Sequence, residues 1–113
     1  MIRPLTLFFV FSASNALADP SVIENAAIDG TRISVTLSHP DTGWDHYADG
    51  WSVFAPDGTL LGTRVLAHPH VNEQPFTRSL RLDLLPAGID HVTIIAKDNK
   101  GDESAPYRLD LEN

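Results

Sequence analysis

Short runs in which apolar and polar residues alternate, each closed by turn-forming residues, constrain this chain more than any other feature. In residues 31–38 (TRISVTLS), Ile33, Val35 and Leu37 fall on one face and Arg32, Ser34 and Thr36 on the other, the period of a half-buried strand. Residues 91–97 alternate in the same way through Val92, Ile94 and Ala96, residues 76–83 through Leu80 and Leu82, and the last segment through Tyr107, Leu109 and Leu111. Further strands are predicted over 22–28, 50–55 and 59–66. Asp29-Gly30, Pro56-Asp57-Gly58, Pro86-Ala87-Gly88 and Asn99-Lys100-Gly101 separate the runs. Glycine, proline and short amides or acids supply the dihedral angles that tight turns need. No stretch longer than one turn carries a helical period. The expected fold class is all-β, a sandwich of two sheets built from about seven short antiparallel strands.

The start of the chain is of another kind. Residues 1–18 hold one positive charge at Arg3, an apolar run over 5–11 (LTLFFVF) and then Ala16-Leu17-Ala18, the small-x-small pattern that signal peptidase accepts. The apolar run is shorter than the roughly 20 residues a spanning helix needs. The pattern predicts a Sec-type signal peptide over 1–18 and a single mature domain over 19–113. It also predicts a periplasmic or extracellular location, with no membrane insertion after cleavage. No cysteine follows the apolar run, so a lipobox is not expected.

Composition narrows the chemistry. There is no cysteine, and the one methionine is Met1. Disulfides, thiol catalysis and thiolate metal sites are excluded, and a mature chain without thioether cannot carry copper(I) on methionines. Asp19-Pro20-Ser21 offers no histidine for an amino-terminal copper(II) clamp. Loss of Arg3 leaves 7 basic against 15 acidic residues, a net charge of −8. That balance argues against nucleic acid and anionic membranes as partners, and leaves cations, basic proteins and neutral ligands open.

The run LPAGIDHVTIIAKDNKG over 85–101 resembles the corner, strand and following turn of fibronectin type III and related immunoglobulin-like domains. Leu84, Pro86, Ile94, Ala96, Asp98 and Gly101 fall on that pattern, and Asp90 stands where the family has its corner tyrosine. The resemblance implies an immunoglobulin/fibronectin III-like sandwich, and a fold of this kind carries no activity by itself. GWDHYADGW (43–51) and HPHVNEQPFTRSL (68–80) are similar to segments of small exported bacterial proteins of unknown function. That likeness implies export and no particular chemistry.

Two connections are unusually rich in reactive side chains. Residues 39–49 (HPDTGWDHYAD) hold two histidines, three aspartates, Trp44 and Tyr47, and residues 68–75 (HPHVNEQP) hold two histidines, Asn72, Glu73 and Gln74. In an up-and-down reading of the strands both lie at one end, joined there by the turn at 98–103, and such rims are where sandwiches place binding. His46, His68 and His70, with Glu73 and Asp49 or Asp45, would suit zinc(II) or copper(II) bound by nitrogen and oxygen. His68-Pro69-His70 supports this, because i and i+2 of an extended segment point the same way.

The competing reading is structural: imidazoles capping backbone groups, with Trp44 and Tyr47 packed inward. Trp51 shares the parity of Val53 and Ala55 and is expected in the core. His39 is expected to be only a strand-end residue, and His91 to lie on the outer face away from the rim. Arg78 shares the parity of Phe76, Leu80 and Leu82, so it needs a carboxylate partner among Glu73, Asp45 and Asp49. A calcium site at Asp98, Asp102 and Glu103 lacks the spacing of the known calcium loop. No nucleophile elbow, phosphate-cradling loop or H-E-x-x-H is present. The expectation is therefore an exported, non-enzymatic binding module whose rim (Trp44, Asp45, Tyr47, Arg78) recognises a ligand or an unknown protein partner, with copper(II) or zinc(II) as a possible cofactor. A small metal-dependent enzyme or metal chaperone, and a purely structural accessory domain, are the alternatives.

Overall fold

The alternating runs become seven strands: β1 (Val22–Asp29), β2 (Arg32–Ser38), β3 (Ala48–Phe54), β4 (Leu60–Val65), β5 (Phe76–Arg81), β6 (His91–Asp98) and β7 (Tyr107–Asp110). The computed structural model describes residues 19–111, so the expected signal peptide over 1–18 lies outside the described residues. Among the described residues there is no helix, and hence none long and apolar enough to cross a membrane. The strands form a three-stranded sheet, β1-β2-β5, and a four-stranded sheet, β4-β3-β6-β7. Every neighbouring pair is antiparallel.

Period-two burial explains the two layers. Ile33, Val35 and Leu37 of β2 and Val92, Ile94 and Ala96 of β6 are buried, as are Trp51 and Val53 of β3. Register seats them in rows: Leu37 opposite Phe76 and Ile33 opposite Leu80 in one sheet, Trp51 opposite Ala96 and Val53 opposite Ile94 in the other. Each such side chain contributes about 1.5–3 kcal/mol when taken fully out of water. A shift in the β3–β6 pairing between Ala48 and Gly50 changes the phase of β3. In consequence Ala48, Gly50 and Trp51 are all buried. Gly50 fits there because a Cβ would stand 3.0 Å from the backbone oxygen of Arg64.

β2, β4 and β6 end where β3, β5 and β7 begin, so the connections after them share one end of the sandwich. Side chains and backbone tie these connections together. Asn99 grips the first loop at four points: its Nδ2 donates to the carbonyls of Trp44 (3.2 Å) and Asp45 (3.1 Å), its Oδ1 accepts from Tyr47 N–H, and its own N–H donates to Tyr47 O. His70 N–H from the β4–β5 connection donates to Asp41 of the β2–β3 connection.

Candidate metal centre

The inward parity of two strands runs on past their apolar residues. On β2 the buried series Ile33, Val35, Leu37 continues into His39 and Asp41, and on β6 Val92, Ile94, Ala96 continues into Asp98. Polar groups placed at core parity must find partners, since an unpaired buried donor or acceptor costs roughly 1–3 kcal/mol. Here they find one another. His39 Nδ1 meets Asp41 Oδ1 at 2.5 Å, and His39 Nε2 meets Asp98 Oδ2 at 3.2 Å. The same Asp98 Oδ2 meets His46 Nε2 at 2.9 Å. The two imidazoles stand edge to face with ring centroids 4.6 Å apart.

Backbone donors fix both carboxylates. Asp41 Oδ1 also accepts from Ala48 N–H (3.0 Å), and Oδ2 accepts from His70 N–H (2.8 Å). Asp98 Oδ1 accepts from Lys100 N–H (2.9 Å) and Asp102 N–H (3.1 Å), which closes the β6–β7 turn. Burial alone would raise the Asp98 carboxyl; the bonds from His46, from the Asp102 and Lys100 amides and from His39 outweigh it and hold it below the ordinary aspartate range. Asp98 is thus an ionised carboxylate with Oδ2 turned toward two imidazoles. Gln74 secures the remaining backbone by accepting from His39 N–H and donating to His70 O.

The arrangement can hold a cation. His39 stands between two carboxylates, with Nδ1 on Asp41 Oδ1 and Nε2 on Asp98 Oδ2. The 3.2 Å between His39 Nε2 and Asp98 Oδ2 can hold a ring proton or a metal ion. The donor set fits a metal. A ligating histidine that gives its other N–H to a carboxylate is the usual arrangement behind metal-bound imidazole. Tetrahedral bonds of 2.0–2.1 Å put ligand atoms about 3.3 Å apart, against the observed 2.9 and 3.2 Å. Among the described residues, one group of three places its ligand atoms within 4.8 Å of one another, and it is His39, His46 and Asp98.

The residues expected from sequence are divided by the fold. His46 joins this centre, but His68, His70, Glu73 and Asp49 do not. His70 is buried, stacked on Phe76 at 4.0 Å between centroids, and its Nε2 accepts from Arg78 Nη2 at 3.1 Å. Desolvation first, and then the Arg78 charge, push His70 below the ordinary histidine value. His68 is exposed and donates from Nδ1 to its neighbour's carbonyl, Pro69 O. Glu73 pairs with Arg78 at 3.1 Å, the carboxylate partner that the parity of Arg78 demanded, and this bond draws the Glu73 carboxyl down. Asp49 pairs with Lys97 at 2.8 Å. Of the expected His46, His68 and His70, His46 alone lies at this centre, where it shares Asp98 with His39, which is buried there and not merely a strand-end residue. Asp98 is likewise committed to the histidines and the turn amides, not to a calcium loop with Asp102 and Glu103.

Trp44 does not pack inward: it is 66% exposed, edge-on to Tyr47 at 5.5 Å. Asp45 is exposed beside it. His91 lies at the start of β6, at the far end from Asp98, and bonds Asp90. The signal for His39, Asp41 and Asp98 was present in the sequence as core parity continued across Pro40 and into the β6–β7 turn.

No protein-family model matches the chain. A protein of Halomicrobium mukohataei named "Putative lipoprotein" is similar to it, 40% identical over 76 residues. The match takes in 67% of this chain and 37% of that protein, so the chain spans little more than a third of the relative's length.

Proposed function

We propose that this protein is an exported, non-enzymatic β-sandwich module of the immunoglobulin/fibronectin III-like kind that holds a divalent transition cation, zinc(II) or copper(II), at its loop end. The observation that carries the reading is the convergence of His39 Nε2, His46 Nε2 and Asp98 Oδ2, with Asp41 behind His39. Two imidazoles and a carboxylate are a donor set for these ions, and the chain has no sulfur ligand other than Met1, in the predicted leader. The three-plus-four strand arrangement is compatible with the fold that residues 85–101 resemble. Export is supported by the leader pattern in 1–18 and by the name of the Halomicrobium relative. Lipid attachment to cysteine does not carry over, since these 113 residues contain none.

A second reading is favoured by the contacts themselves: at 2.9 and 3.2 Å the nitrogens and Asp98 Oδ2 also suit hydrogen bonds. In that case a second proton on His39 replaces the metal, and the centre is a structural pin for three loops. Thermal unfolding with and without zinc(II) and copper(II) separates the two. A specific site occupied at about a hundred times its Kd adds roughly 2.7 kcal/mol. His46→Ala removes that gain under the metal reading, and His68→Ala retains it. Equal behaviour of wild type and His46→Ala toward both metals rejects the metal reading.

A further inference from the structure

Resting on the metal reading above, we infer that the centre is coordinatively open: the protein supplies three donors, and a monodentate ligand from solution completes the coordination on the His46 side. The buried polar side chains around the three donors are already committed. Asp41 has no spare oxygen, since Oδ1 takes His39 Nδ1–H and Ala48 N–H and Oδ2 takes His70 N–H. Asp98 can give only Oδ2, because Oδ1 carries the two amides that close the β6–β7 turn. His70 is locked by Phe76 and by Arg78 on Nε2, and Glu73 and Asp49 are each held by a cation. Gln74 spends both ends of its amide on backbone. Among the described residues no fourth histidine or carboxylate joins the group of His39, His46 and Asp98.

Access is one-sided. The His39 and Asp98 side chains are wholly buried, whereas the His46 side chain is 16% exposed. Solvent therefore reaches the centre past His46, on a loop already held by Asn99. Three protein ligands plus an open position is the pattern of zinc and iron sites that bind water or a substrate atom, while closed structural sites supply all four donors. The ligand class that fits is a small monodentate donor: water at rest, and small anions or imidazole-type bases in competition with it. His46 belongs to the same connection as the exposed Trp44.

The test uses azide as probe on the copper(II)-loaded protein. The expected result is a new azide-to-copper charge-transfer band that saturates at one azide per copper, with a matching change in the copper electron paramagnetic resonance spectrum. Copper bound through the histidines, but with spectra unmoved by azide, overturns the open position and leaves the metal reading standing. Failure of copper to bind at all overturns both. Loss of copper from the protein as azide is added also counts against the inference, because an open site gains a ligand without giving up its metal. His46→Gln serves as a second arm. It should keep weaker copper binding and answer to imidazole, with affinity recovering severalfold as the base fills the vacated place, and no recovery rejects access from that side.

Discussion

Asp41→Ala tests the centre as a piece of folding energetics, with no metal present. The carboxylate receives His39 Nδ1–H, Ala48 N–H and His70 N–H, and its side chain is fully buried. Truncation removes the acceptor of all three donors, two of them backbone amides. Each stranded buried group costs about 1–3 kcal/mol. Because the β4–β5 connection can relax, we expect a total of about 3–5 kcal/mol, the range seen when one partner of a buried charged pair is removed. A domain of this size has only about 5–15 kcal/mol in all, so the loss is a large part of its stability. At roughly 4–8 °C per kcal/mol, the midpoint should fall by more than about 12 °C. Asp41→Asn, which keeps one acceptor oxygen, should lose less than half as much. Urea unfolding in EDTA, followed by tryptophan fluorescence, reads these differences without interference from metal. A loss below about 1 kcal/mol for Asp41→Ala would refute the reasoning, since it would mean the three donors find water or other acceptors at no cost.

Other outcomes follow from the same contacts. The two tryptophans differ in burial, Trp44 at 66% and Trp51 at 1% exposed. Trp44→Phe should therefore leave a blue-shifted emission that acrylamide barely quenches, and a freely quenched residual signal would contradict the placement of Trp51. His70 should make stability pH-dependent. Its folded pKa lies below the ordinary 6.5, so the unfolded chain takes up the proton first as pH falls. This contribution is complete above about 6.5 and is lost as pH drops below that value toward the folded pKa. His70→Gln should flatten the slope of unfolding free energy in that window, and an unchanged slope would show that His70 does not differ between the two states.

The fold was legible in the sequence because a half-buried strand writes its period into the residues. The turn signals at Pro56-Asp57-Gly58 and Asn99-Lys100-Gly101 fall between observed strands, and Asp29-Gly30 begins on the last residue of β1. The phase shift in β3 was less visible, since nothing local marks Asp49 as the residue at which pairing slips. The site was legible only as a region. Composition pointed to the two loops rich in histidine and acid, and their approach to each other followed from strand direction. The buried cluster of His39, His46, Asp41 and Asp98 did not follow, because histidine count favours His68-Pro69-His70, whereas the fold gives His70 to Phe76 and Arg78. Standing before Pro40, His39 reads as a strand-end residue, although it keeps the parity of Leu37. A polar residue at core parity at the end of a strand is the mark of a buried centre. Which partner meets it across the sandwich is a tertiary fact, and for Asp98 that partner lies 59 residues away.

The most direct measurement is a long-range proton–nitrogen NMR spectrum of the five histidine side chains before and after zinc(II) is added. The account predicts that His39 Nε2 and His46 Nε2 move to metal-bound shifts while His39 Nδ1 keeps its proton on Asp41, with His68, His70 and His91 unchanged. Shifts confined to His68 and His70, or no shift at His39 at saturating zinc, would contradict it.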